Sequence, residues 1–316
     1  MTTQPTEVSV TRPFSQAIDR VKLILFRPFD LGKWFVIGFC AWLAQLGEQG
    51  FNGSFNFGSG RGQGGSVHHE FERAKEFVMN NLYWIVPLAA AMVAFGVALW
   101  LVFIWLNSRG KFMFLHCVAL DKAEVSVPWR KYAREGNSLF LFRIGLGLIG
   151  AVLSLPLIAI IVVAVLRMVQ RGEPSPGGIL MSVGIVLVLV AVAIVFVLIE
   201  KFTKDFVVPI MFLRGVGWRK GWGELWGLLT ANVGDFILYI LFQIVLAMAI
   251  GAMTLVVVIA TCCIAGCLLA LPYLGTVLFL PVLVFSRSYS LHYLAQFGRE
   301  YDVFPPSTTP PVARGA

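Results

Sequence analysis

Residues 237–285, ILYILFQIVLAMAIGAMTLVVVIATCCIAGCLLALPYLGTVLFLPVLVF, hold 49 consecutive positions without Asp, Glu, Lys, Arg or His. As a helix this run measures roughly 74 Å at ~1.5 Å per residue, against ~30 Å of bilayer hydrocarbon, so it has to cross, turn and cross back. The stretch reads as two spans, near 236–260 and 268–285, and marks the chain as an integral membrane protein. Moving outward, 82–106, 144–166 and 179–199 are charge-free and of spanning length. The first crossing is shorter. Only 14 residues separate Lys33 from Glu48, which suits a re-entrant or core helix as well as a span. Extended over 31–51 it reaches the required length if Lys33 snorkels to one interface and Glu48 sits at the other. The expected fold class is an all-α, polytopic transmembrane helical bundle of about six spans.

Composition fits this class. Of 316 residues, 58% are hydrophobic and 13% charged, and the mean hydropathy is +0.81, outside the range of soluble domains. No stretch between the apolar runs is long enough for a soluble catalytic domain, so residues 1–316 are expected to form a single integral membrane domain. Within it, 47–81 reads as a flexible non-cytoplasmic loop and 302–316 as a disordered tail. The net charge of +8 comes from basic residues flanking hydrophobic runs, a pattern explained by membrane orientation and anionic lipid rather than nucleic acid. Cys40, Cys262, Cys263 and Cys267 lie in apolar segments and Cys117 in an amphipathic one, which reads as buried small hydrophobes. The first apolar run begins at Trp34 with no small-residue cleavage site behind it, so no cleavable signal is expected.

Lys and Arg alternate strongly along the chain. The N-terminal segment to Lys33, 107–143, 200–235 and the C-terminal tail carry 20 of them, against 5 in the intervening segments. The positive-inside rule therefore puts both termini and those two loops in the cytoplasm, across the cytoplasmic (inner) membrane of a prokaryote.

The two cytoplasmic loops resemble each other. Residues 109–143 and 201–235 have equal length and open on a basic residue and an aromatic-apolar patch. Each then carries a Trp-Arg-Lys triplet, Trp129-Arg130-Lys131 or Trp218-Arg219-Lys220, and reaches an Asn, Asn137 or Asn232, before the next span. The N-terminus reads as a shorter copy: Phe14, Ile18, Val21 and Leu25 recur at helical spacing with Ser15, Asp19 and Lys22 opposite. An amphipathic interfacial helix followed by two spans, three times over, is the expected internal repeat. The alternative is that any helix entering a membrane from the cytoplasm has a basic, aromatic foot. Trp34, Trp84, Trp105, Trp129, Trp218, Trp222 and Trp226 all fall at or near expected interfaces, where they either anchor the bundle or help it hold lipid. Arg130, Lys131, Arg219 and Lys220 are the candidate contacts to anionic headgroups, each worth roughly 1 kcal/mol against an anionic leaflet. Membrane lipids are the expected partners.

No chemical motif adds an activity. Gly60–Gly65 fits GxGxxG but follows no strand, and the same pattern recurs at Gly145–Gly150 inside a span, where small residues favour close helix approach. After His68, the residues His69, Glu72 and Glu76 would share one helical face and are acceptable zinc ligand types, yet no second ligand group accompanies them; a solvated polar cap is the expected reading. Asn52-Gly53-Ser54 is a chance-frequency match to a glycosylation acceptor. No catalytic, cofactor-binding or metal residue is assigned, and no enzyme is expected. The confident spans lack ionisable residues, which counts against ion-coupled transport. Internal repeats and Pro87, Pro156, Pro272 and Pro281 count for it.

The approach Leu25-Phe26-Arg27-Pro28-Phe29-Asp30-Leu31-Gly32-Lys33-Trp34, continuing through Gly38-Phe39-Cys40-Ala41-Trp42-Leu43, resembles the start of uncharacterised prokaryotic six-helix membrane proteins. The repeat unit is more distantly similar to the membrane region attached to some glycerophosphodiester phosphodiesterases. The resemblance implies an architecture and no activity, since the phosphodiesterase domain is missing. A non-enzymatic membrane-organising or lipid-contacting protein is the expected function, and a small-solute or lipid transporter the rival.

Overall fold

The computed structural model describes residues 8–46, 81–171, 176–261, 266, 268–269 and 271–304. These residues are predominantly helical, with no strand among them. Helix α1 (Arg12–Val21) runs through a π-helical turn (Lys22–Phe26) and leads to α2 (Leu31–Gln45). Asp30 caps α2, its carboxylate accepting the Gly32 N–H at 2.8 Å. Helix α3 (Leu82–Leu120), the short α4 (Ser126–Lys131) and α5 (Ala133–Arg171) follow. Helix α6 (Pro176–Phe202) continues through a π-helical turn (Thr203–Val207) into α7 (Val208–Arg214). Last come α8 (Trp218–Ala231), α9 (Val233–Ala260), α10 (Pro272–Leu278) and α11 (Leu280–Ala295).

Four helices among the described residues are long and apolar enough to cross a membrane, over Tyr83–Leu120, Ala133–Ala164, Leu180–Arg214 and Val233–Ala260. Their upper parts turn Trp84, Met92, Leu155, Leu187 and Met253 outward, as a lipid solvent permits. Two of them overrun their spans. At 39 residues α3 is about 58 Å long and carries on through 107–120. Helix α6, its π turn and α7 add 27, 5 and 7 residues to the same effect. Both ends stop on a left-handed residue, Asp121 (φ 55°) and Gly215 (φ 59°), where an orphaned helix terminus turns away.

These overruns and α11 form the densest part of the molecule. Phe112, Leu115, Phe206, Ile210, Tyr239, Tyr289 and Tyr293 are almost fully buried there, and α11 packs on α2, α3 and the 203–207 turn while α3 packs on α7. Tyr239, Tyr289 and Tyr293 pack ring to ring, and Tyr239 and Tyr293 also meet Phe206. The core is thus at one end, below the splayed apolar helices.

The first expected crossing takes a different place. Helix α2 has 15 residues, about 22 Å, and lies against 107–120 rather than against the spanning half of α3. Gly110 makes this possible, because a Cβ there would stand 2.5 Å from the Leu43 carbonyl carbon. Asn107 Nδ2 donates to the Ala44 and Leu46 carbonyls at 2.7 and 2.9 Å, closing the α2 terminus. Lys33 does not snorkel freely; its ammonium pairs with Asp121 at 2.8 Å. The return half of the long apolar run is also not one straight helix. It is interrupted at Leu271–Pro272 and again at Phe279, before Pro281, where proline removes a helical donor.

The segments expected together on one side do meet at one end. Arg20 donates to the Val118 and Ala119 carbonyls, at 3.0 and 2.7 Å from Nη2. Ser9 and Gln296 exchange two hydrogen bonds of 2.8 and 3.0 Å. Arg214 pairs with Glu224 and, at 3.4 Å, with Glu300. Within the segment read as a tail, Val303 is buried and the Phe304 ring stacks on His292 at 4.3 Å. The loop 47–80 lies outside the described residues, with the first glycine motif, Asn52-Gly53-Ser54, His68, His69, Glu72 and Glu76. Cys262, Cys263, Cys267 and 305–316 also lie outside. Of the second glycine motif, Gly147 and Gly150 face Trp100 and Phe196 on neighbouring helices, while Gly145 faces open space.

Candidate functional site

The four residues singled out in the sequence are exposed, and none has an acidic partner among the described residues. Arg130 and Lys131 end α4, with the Lys131 ammonium 5.3 Å from the Tyr132 ring centre. Arg219 and Lys220 begin α8, with Arg219 5.4 Å over Trp218. The two triplets therefore sit at opposite ends of their helices. Trp129 is claimed by Arg109, which lies between it and Trp105 at 4.9 and 4.6 Å and donates to Asn137 Oδ1. Asn232 has another task, donating to the Leu228 carbonyl at the α8 terminus.

A second arrangement was not expected from the sequence. Between α2, α3, the foot of α6 with its π turn, α9 and α11 a chamber of about 730 Å³ opens above the aromatic core. One stripe of α9, Leu246, Ile250, Thr254 and Val258, faces it at helical spacing, joined by Gly251 and Leu255. Ala41 and Ala44 of α2, with Phe279, Val282 and Leu283, form the facing wall. The walls are apolar. The floor is not: Lys111, Lys201, Lys204, Arg287 and Asp205 line it, four cations against one carboxylate, with Gln45, Gln243 and Ser286 at their side.

The floor is wired rather than solvated. Asp205 is only 6% exposed, pairs with Lys201 at 3.0 Å and accepts the Tyr239 hydroxyl at 3.0 Å. Gln243 donates to that hydroxyl at 3.1 Å and accepts from Lys201 at 3.3 Å. Lys111, 5% exposed, stands 3.9 Å from Glu200, which also holds Arg143. Arg287 is 6% exposed and donates from Nη1 to the Lys204 carbonyl, but its Nε and Nη2 find no acceptor among the described residues. A buried guanidinium with idle donors costs several kcal/mol unless an anion meets it.

Sequence reading passed over these cations because they stand at the feet of three different apolar runs, where each serves as an orientation signal. The available clue was that three runs place basic residues at the same depth, which gathers charge only once the runs are adjacent. Deeper in the end core, His116 is buried beside Glu124 at 3.8 Å, and loss of solvent holds its pKa below the ordinary value. Cys40 and Cys117 meet at 3.7 Å as free thiols, in keeping with their reading as small hydrophobes. No group of three metal-ligating side chains occurs among the described residues.

A family model described as a family of unknown function (DUF7544) matches residues 8–278. No curated protein and no solved structure matches the chain.

Proposed function

We propose a function on the premise that the chain belongs to this family, DUF7544, whose own function is unknown: it is a non-enzymatic, lipid-contacting protein of a prokaryotic cytoplasmic membrane. The observation that carries the reading is the gathering of all four Lys/Arg-rich segments at one end, below outward-facing apolar helices. That end is cytoplasmic by charge bias. Six passes are part of this reading: the four long apolar helices supply four, and the positions of α2 at the core end and of the interrupted α10–α11 return support two more. The threefold repeat draws support from order: overrunning span, left-handed stop, amphipathic helix and rising span recur in α3–α5 and α6–α9. In the third unit α11 takes the place of the overrun, and the N-terminal α1 and α2 complete it from the other end of the chain. The resemblance to the membrane region of glycerophosphodiester phosphodiesterases stays an inference from sequence alone, confined to architecture and without phosphodiester chemistry.

In this reading Arg130, Lys131, Arg219 and Lys220 touch anionic headgroups at the cytoplasmic face. Replacing all four with Gln is expected to weaken association with anionic vesicles by roughly 1 kcal/mol per residue, more at low salt, with folding in neutral detergent unchanged. Equal vesicle association at 20 mM salt would leave the four as orientation signals. The transport reading gains one observation, a chamber to which α2, α3, α6, α9 and α11 all contribute polar groups. Its floor, however, rests on packed aromatic residues.

A further inference from the structure

We propose that the chamber is a binding site for one anionic phospholipid of the cytoplasmic leaflet, with its phosphate on the Arg287 and lysine floor and an acyl chain along α9. The proposal rests on the membrane orientation above and is independent of the four surface cations.

Three features converge. The first is charge: Lys111, Lys201, Lys204 and Arg287 outnumber Asp205, and Asp205 is already engaged by Lys201 and Tyr239. With Lys201 on Asp205 and Lys111 beside Glu200, the donors left for an anion are those of Arg287. The second is the idle guanidinium. Arg287 is fixed by the Lys204 carbonyl while its Nε and Nη2 lack acceptors among the described residues, and an edge of two parallel N–H groups is the fork that phosphate oxygens fill. The third is direction. From Leu246 to Val258 the α9 stripe rises roughly 18 Å away from the floor, with only Thr254 polar, and that hydroxyl is spent on the Ile250 carbonyl at 2.8 Å. A lipid of the cytoplasmic leaflet keeps its headgroup at that face and its chains toward the midplane, which is the polarity of this chamber. A soluble anion would match the floor and waste the walls; a neutral lipid would match the walls and leave Arg287 unpaired.

The test uses the full chain purified in neutral detergent, with bound lipid counted by native mass spectrometry after exposure to dioleoyl-phosphatidylglycerol, dioleoyl-phosphatidylcholine or inorganic phosphate. One equivalent of phosphatidylglycerol is expected to survive, neither matched by phosphatidylcholine nor displaced by millimolar phosphate. Arg287→Gln is expected to lower its retention about tenfold or more, the loss of a charge-assisted pair. Because that variant disturbs a buried residue, Gly251→Trp provides the second arm. Gly251 lines the chamber and a Cβ there meets nothing within 4 Å, so the indole fills the tail slot without displacing backbone. It is expected to abolish retention while unfolding at the wild-type temperature. Unchanged retention in Gly251→Trp, equal retention of phosphatidylcholine, or displacement by phosphate would each overturn the proposal. Retention lost in the four-fold surface variant but kept in Gly251→Trp would overturn the chamber and support the surface reading. Vesicle association lost with the chamber lipid retained would separate the two sites in favour of both.

Discussion

At the scale of single residues, the end core is held by polar groups whose roles depend on partners far away in the chain. His292 stacks on Phe304 with Nε2 unpartnered among the described residues, and burial pushes its pKa down to about 4, against a smaller raising effect of Asp302. An unfolded chain takes up that proton near 6.5. Between those values the unfolded state binds more protons, so the stability His292 contributes is complete above about pH 6.5 and is lost as the pH falls toward 4. The melting temperature in detergent is expected to drop from pH 7 to pH 5, and to drop less in His292→Phe; an equal drop would assign the effect to other groups. None of this was legible from the sequence, in which Phe304 belongs to a tail and His292 to the last turn of a helix. Lys33 teaches the same lesson. Its place at the foot of an apolar run is visible in one dimension, but its partner Asp121 becomes a neighbour only because α3 overruns its span.

At the scale of elements, the apolar runs located the four long helices but not their full lengths, because absence of charge over 20 positions leaves a chain few alternatives in a bilayer. What charge counting could not give was where the helices end. Residues 107–120 and 203–214 are mixed rather than strictly periodic, so they read as loop, yet they continue α3 and α6 because they are shielded by each other and by α11. Likewise α2 has the composition of a short span but is claimed by 107–120. Gly110 is the hinge of that claim. Gly110→Val is expected to force α2 away from α3 and destabilise the protein by about 1–3 kcal/mol, read as a lower melting temperature. Gly251→Ala, in the open chamber, serves as the control and is expected to change little. Comparable losses in both would show that the α2–α3 approach is not special.

At the scale of the whole molecule, the positive charges mark one end and the apolar surface the other. Cysteines introduced at Ser126 and Ser307 into a cysteine-free background are therefore expected to resist an impermeant thiol reagent in intact cells and to react after permeabilisation. Labelling of intact cells at either site would invert the topology. The chamber was out of reach of sequence reading for a related reason: its floor is assembled from α3, α6 with its π turn, and α11, and no pattern within a single segment announces such a meeting. One contact has a consequence in time. Helix α1 packs along α11, and Ser9 is tied to Gln296 by two hydrogen bonds, so α1 has a binding place made of residues synthesised 287 positions later. Until then the N-terminal helix has to wait with its apolar face uncovered, most readily against the membrane surface. Emergence of α11, rather than the insertion of any helix before it, is the event that gives α1 its seat.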